Sequence, residues 1–228
     1  MTGSINETMI CLLGAMEAKD RSLLEHSIYT ARIAQSVANI LISDGFRQTL
    51  PTIDEIITTG LLHDIGKLKV PDSIFHKASG LTNRETENIR FHPLWGEQFL
   101  SRIPSLKHLS IYIYQHHELP DGGGYPLGLK TKDIHPASRV INISDRFSAL
   151  TTDRHYRKAI DHRSALLFLE ENIEVFFGKR NKKSITQCLM SMQNIRYILD
   201  EQTHPLIKSV LERNAPAGIN KKRAKDAV

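Results

Sequence analysis

The stretch SLLEHSIYTARIAQSVANILIS, Ser22 to Ser43, carries the period that decides the fold. Ile33, Val37, Ile40 and Leu41 recur at three- and four-residue spacing, which lines one face of a helix. Ser22 followed by Glu25 is placed as a capping box and predicts a helix over about 22–43. His26 sits early in that helix. Tyr29, Ile33 and Val37 follow it, so its imidazole is expected near the inward face.

The same period extends outward in both directions. Ile5, Met9, Leu12, Leu13 and Met16 repeat it upstream. Thr52 with Glu55, Thr82 with Glu85, and Ser184 with Gln187 repeat the cap. Helices are expected near 5–18, 22–43, 53–64, 83–90, 93–102, 106–117, 136–150, 162–175, 184–199 and 204–213. No strand alternation appears, and GKLKVPDSIFHKASG and LPDGGGYPLGLKTKDIHP read as Gly/Pro-rich loops. The expected fold is all-α, a single helical bundle over 1–160. Helices over 161–213 pack on it, broken by the basic GKRNKKS, and 214–228 is a disordered basic tail.

The chain has 228 residues, enough for one domain with a substantial core. Hydrophobic content of 40% and charged content of 24% are those of a soluble protein, and no apolar run approaches a bilayer span. The first residues lack a basic segment ahead of an apolar one, so they do not read as a signal peptide. Cys11 and Cys188 are too far apart in sequence for a metal motif and suit a reducing cytoplasm. Net charge is +5, and KKRAKDAV at the end concentrates much of it. A solvated tail accounts for that better than a nucleic-acid site.

The eleven histidines are less ordinary. In LLHDIGK, His63 and Asp64 follow an apolar run. Alone, such a pair is a helix-terminal histidine stopped by Gly66. His26, His92 in HPLWG, the adjacent His116 and His117, and Asp145 in NISDRFSAL each interrupt or end another apolar segment. Asp145 lies among Ile141, Ile143, Phe147 and Leu150, where a lone carboxylate is costly to bury. Five histidines and two aspartates on separate helices are how bundles build dinuclear metal sites. Imidazole and carboxylate without thiolate fit Fe, Mn, Ni or Zn better than Mg or Ca. Two such ions activate a water and clamp a phosphoryl oxygen, which points to phosphate-ester hydrolysis.

HDIGK, HPLWG, HHELPDGGGYP and DRFSALTTDRHYRKA, in this order from about Ala15 to Ala159, resemble the HD-GYP subgroup of the HD-domain metal-dependent phosphohydrolases. VPDSIFHKASGLTNRE is similar to that family's segment between its first two motifs. The resemblance implies an all-helical HD-type fold. It also implies hydrolysis of the bacterial messenger cyclic di-GMP to pGpG or GMP. Carried over residue by residue, it makes His26, His63, Asp64, His92, His116, His117 and Asp145 metal ligands, with Asp64 as the bridge. Lys67 becomes the cation beside the scissile phosphate, catalytic together with Asp64. Gly122 to Gly124, Tyr125 and Pro126 become a substrate lip, with Gly124, Tyr125 and Pro126 in contact. Arg154 and Arg157 become the residues that reach a second phosphate or a guanine edge. The implied cofactors are two divalent ions, iron first and manganese as the alternative. The implied setting is the bacterial cytoplasm, with a regulatory partner such as a GGDEF protein or a homodimer as options. No nucleic-acid polymer and no membrane span are expected.

Two departures are visible. Family members with a third ion use a glutamate one turn before the first histidine, and Ser22 stands there. Glu25 is rotated about 100° from His26's face, so two ions are expected, with Glu17 or Asp20 the remaining candidates for a third. Only a short stretch precedes the match, so no upstream sensory module is expected. The insert KRNKKSITQCLMSMQNIRYILDE carries Met190, Met192, Ile195, Tyr197 and Ile198 as apolar surface for a cleft cover, a dimer face or core packing. Other readings of the whole are a 3′,3′-cyclic GMP-AMP phosphodiesterase or a slow cyclic dinucleotide receptor signalling through a protein partner.

Overall fold

The computed structural model describes residues 7–46, 50–77, 79–153, 157–192 and 204–214. The order is α1 (Glu7–Lys19), α2 (Arg21–Leu41) closed by a wide turn at Ile42–Phe46, and α3 (Ile53–Leu62) followed by a 3-10 turn at Ile65–Lys69. Next come the one-turn α4 (Asp72–Phe75), α5 (Asn83–Arg90), α6 (His92–Leu100), a 3-10 turn at Lys107–Leu109 and α7 (Ser110–Tyr114). A loop with a 3-10 turn at Thr131–Asp133 leads to α8 (Pro136–Thr151), α9 (His162–Ser191) and α10 (Pro205–Asn214). The protein is all-α, and no strand occurs among the described residues.

Helix α2 is the axis, because both of its sides are apolar. Ile33, Val37 and Leu41 pack with Val140, Ile141 and Phe147 of α8 and with Leu169 and Ile173 of α9. Leu24, Ile28 and Ala31 pack with Met16 of α1, Ile57 and Leu61 of α3, and Ile113 of α7. A helix apolar nearly all round must be enclosed. Fully burying each such aliphatic side chain is worth about 1.5–3 kcal/mol.

Local chemistry sets the ends. Thr52 with Glu55 and Thr82 with Glu85 form reciprocal capping boxes, as expected. The expected box at Ser22 is replaced. Asp20 caps α2, its Oδ1 accepting from the Ser22 N–H at 2.7 Å, and Glu25 pairs with Arg21 instead. A carboxylate one residue ahead of the helix outcompetes a hydroxyl inside it. Asp20 also meets His76 at 3.2 Å, so as the cap it is committed away from His26. The expected cap at Ser184 is likewise overturned, since it lies inside α9. That helix breaks at Gly178 (φ 83°, ψ 161°) and resumes at once, because Ile185 and Leu189 pack into the core. Its cap is Asp161, bonded to Ser164. The helix expected over 106–117 shortens to α7 behind a 3-10 turn. Met192 is buried and Met190 partly exposed, while Ile195, Tyr197 and Ile198 lie outside the described residues. No helix among the described residues is long and apolar enough to cross a membrane.

Candidate metal centre

Three helix ends share one device. His63 follows α3 and its Nδ1 bonds to the Gly60 carbonyl at 2.8 Å. His92 opens α6, directly after α5, and its Nδ1 bonds to the Ile89 carbonyl at 2.8 Å. His116 follows α7 and its Nδ1 bonds to the Ile113 carbonyl at 2.5 Å. Each imidazole thus donates to the carbonyl three residues back, in the last turn of a helix. The bond fixes the ring and leaves Nε2 free to point inward, the support that metal-binding histidines usually have. Gly66 lets the turn after Asp64 sit against α6, since a Cβ there would meet the His92 carbonyl oxygen at 2.0 Å.

The inward atoms form two groups. His26 Nε2 lies 2.8 Å from Asp145 Oδ1, and its Nδ1 2.9 Å from Ser148 Oγ. His63 Nε2 lies 3.7 Å from the same Asp145 oxygen. In the second group, His92 Nε2 lies 3.3 Å from His116 Nε2 and 3.1 Å from His117 Nε2. Asp64 spans the two, with Oδ1 3.3 Å from His92 Nε2 and Oδ2 3.4 Å from His63 Nε2. Lys67 donates to Asp64 Oδ2 at 2.7 Å. All seven sequence-predicted ligands therefore converge, from α2, the ends of α3 and α7, the start of α6, and α8.

Electrostatics separate the groups. Burial works against a proton on His63, but the charge on Asp64 and the Asp145 carboxylate retain it, to about 10. Burial strips the proton from His92, down to about 3, and from His116, down to about 4, and holds His117 well below its ordinary value. Burial would raise Asp64 and Asp145. Lys67 and His63 outweigh it at Asp64, His26 and His63 at Asp145, and both carboxyls stay well below the usual range. The second group is then three neutral imidazoles whose Nε2 atoms meet at hydrogen-bond distance; the Nδ1 bonds of His92 and His116 leave those two Nε2 atoms as lone pairs facing each other at 3.3 Å. His63 Nε2 and Asp64 Oδ1 are buried without a hydrogen-bond partner. The facing lone pairs of His92 and His116 and the unpartnered Asp64 oxygen call for a cation between them. The ligand atoms of His92, His116 and His117, of His26, His63 and Asp145, and of His63, Asp64 and His116 each lie within 4.8 Å of one another. Nitrogen and oxygen donors in these numbers fit divalent metal.

The loop after His117 is tied to the centre by residues that sequence reading passed over. Glu118 is fully buried and accepts from the backbone N–H groups of Leu127 at 2.6 Å and Leu129 at 2.8 Å. Asn142 Nδ2 donates to the carbonyls of His116 and Glu118 at 2.9 and 3.1 Å. Gln115 Oε1 accepts from the His135 N–H at 2.8 Å. Glu118 stood within the quoted HHELPDGGGYP, but its buried role depends on a turn that places Leu127 and Leu129 above it. Gly124 packs on this base, where a Cβ would meet the Leu119 nitrogen at 2.3 Å. The Tyr125–Pro126 peptide bond is cis. Tyr125 stacks on His117, ring centres 4.7 Å apart and tilted 27°, and the Arg90 guanidinium carbon lies 5.2 Å from the tyrosine ring centre. Arg157 is placed at the C-terminal end of α8, donating to the carbonyls of Ala149, Leu150 and Lys158. Arg154 lies outside the described residues.

A family model described as HD domain matches residues 23–179. The chain belongs to the HD-domain family. It is 36% identical over 162 residues to the 3′3′-cGAMP-specific phosphodiesterase 3 of Vibrio cholerae serotype O1, covering 69% of this chain and 33% of that protein. It is 37% identical over 122 residues to a cyclic di-GMP phosphodiesterase of Pseudomonas aeruginosa, covering 53% of this chain and 30% of that one. The chain therefore spans about a third of the length of these relatives. Its fold is similar to that of an HDG"Y"P protein from Bdellovibrio bacteriovorus, with TM-score 0.53 and 21% identity, covering 73% of this chain and 51% of that one. Within the HD-domain family, the aspartate that follows His63 is the residue shared between both ligand groups here.

Proposed function

We propose that this HD-domain chain is a metal-dependent phosphodiesterase acting on a cyclic dinucleotide, with cyclic di-GMP as substrate. The observation that carries the reading is the meeting of three imidazole Nε2 atoms, two of them buried lone pairs, with a carboxylate that also faces a second histidine–aspartate group. His26, His63, Asp64 and Asp145 would hold one divalent ion. His92, His116, His117 and again Asp64 would hold another, with iron first and manganese as the alternative. Bound ions would supply Lewis-acid polarisation of a phosphoryl oxygen and activation of water.

The chain's own residues do the rest. The helix-end bonds of His63, His92 and His116 hold the donor nitrogens fixed, so little reorganisation accompanies the reaction. Lys67, already paired with Asp64, places a positive charge beside the centre where phosphate charge develops. The loop clamped by Glu118 walls one side against water. Arg154 and Arg157 stay proposed as substrate contacts; for Arg157 this requires exchanging its carbonyl partners for phosphate. The division into a catalytic core over 1–160, a packed extension and a tail, a cytoplasmic location, and a protein partner or homodimer belong to the same proposal.

Names among the relatives favour one second reading, 3′,3′-cyclic GMP-AMP as substrate, since the two ligands differ in a single base. Metal analysis of anaerobically purified protein, with product identification from both cyclic dinucleotides in parallel, tests both. About two divalent equivalents with faster release of pGpG or GMP from cyclic di-GMP is expected. Metal binding without turnover of either ligand turns the reading toward a receptor.

A further inference from the structure

We infer that Tyr125 and Arg90 are positioning residues for His117 and do not serve as a platform for a substrate base. This rests on the reading of His117 as a metal ligand. His63, His92 and His116 are each anchored by an Nδ1 bond to a backbone carbonyl. His117 lacks that anchor. Its Nδ1 lies 3.8 Å from Asp145 Oδ2, too far for a hydrogen bond. Beside its Nε2 contact with His92 at 3.1 Å, what holds the ring is packing. His116 lies against it at 3.9 Å between centres, and Tyr125 stacks on it at 4.7 Å. The Tyr125 N–H also donates to the His117 carbonyl at 3.2 Å, fixing tyrosine and histidine as one unit.

Arg90 completes the arrangement from the last turn of α5. Its guanidinium lies over the Tyr125 ring, and a cation over an aromatic face is attracted by the ring's electron density. The adjoining Ile89 carbonyl receives the His92 Nδ1–H. One helix end therefore steadies two members of the all-imidazole group, His92 directly and His117 through Tyr125. The ring that the resemblance implies as part of a substrate lip already carries an imidazole and a guanidinium. Contacts that orient a ligand usually change metal affinity about 10- to 100-fold when removed.

Cobalt(II) titration of metal-free full-length protein, followed by calorimetry and visible absorption, tests this without substrate. Tyr125→Ala is expected to weaken the affected cobalt step about 10- to 100-fold and to alter the absorption band. Tyr125→Phe, which keeps the stack, is expected to match the parent. Arg90→Met is expected to fall between them. Should Tyr125→Ala fail to fold, Tyr125→Leu and Arg90→Met carry the same comparison. Parent-like cobalt affinity and spectrum in the Ala or Leu variant, with only KM raised, overturns the inference in favour of a substrate face. Turnover of cyclic dinucleotides by the parent is scored separately and decides the reading on which this rests, so the two can fail independently.

Discussion

The two halves of the centre solve the same burial problem in opposite ways. Around Asp145, histidine meets carboxylate, and the group satisfies itself with a proton that His63 keeps to about 10. Around His92, histidine meets histidine, and burial expels the protons to about 3 and 4. The first half is a self-contained ion pair. The second leaves the Nε2 lone pairs of His92 and His116 facing each other, which favours something positive between them. On the proposed reading, metal dependence is concentrated on the α5–α6–α7 side, whereas the α2–α8 side also contributes to stability in its own right.

The largest effect is expected where the halves join. Asp64→Ala removes the carboxylate both share, and it should strip metal and lower turnover by about 10³-fold or more, a loss of several kcal/mol of transition-state stabilisation. Metal analysis and steady-state rates check it, and retained metal with retained activity would break the comparison. Next come the separate halves. In metal-free protein, His26→Ala leaves Asp145 short of a partner and should cost about 3 kcal/mol in urea unfolding. His92→Ala removes a repelling lone pair and should cost far less, while losing one metal equivalent.

The halves should also set opposite limbs of the pH–stability curve of the metal-free protein. His63 is raised from 6.5 to about 10, so its contribution is complete below 6.5 and is lost as pH rises towards about 10. His92 and His116 are lowered from 6.5 to about 3 and 4, so their contribution holds above 6.5 and is lost as pH falls through that window. Unfolding midpoints across pH check the signs, and added metal, which needs deprotonated imidazoles, should steepen the acid limb. The smallest effect is expected away from either half. Thr82→Ala removes the α5 cap and should cost about 1 kcal/mol with the metal content unchanged, read by thermal melting.

Much of this was legible because helices announce themselves by period. The apolar spacing of Ile33, Val37 and Leu41 required an enclosed helix. A polar Asp145 inside an apolar segment, and histidines at helix ends, marked the centre from separate stretches of chain. What stayed hidden depends on contacts distant in sequence, apart from one local competition at the start of α2. Asp20 displaced Ser22 as the α2 cap because the helix begins one residue earlier. α9 resumes directly after Gly178 and runs through 179–183, where the sequence marks a longer break between two helices, because Ile185 and Leu189 reach the core. The roles of Glu118 and Arg90 emerge only once the loop closes over one and Tyr125 comes under the other.

Hanging three ligands from helix ends has a consequence for how the chain tolerates length changes. Each ring is referenced to a carbonyl three residues behind it, so it moves with its own helix as a rigid pointer. One residue inserted between Gly60 and His63 would turn that pointer by about 100° and carry the donor nitrogen out of register. A residue inserted in the exposed turn around Gly80, between α4 and α5, would leave all three pointers where they are. The centre is therefore written in helix phase more than in chain length. The exposed turn between α4 and α5 is free to drift, whereas the α7–α8 loop is clamped by Glu118 and the last turns of α3, α5 and α7 must be counted residue by residue.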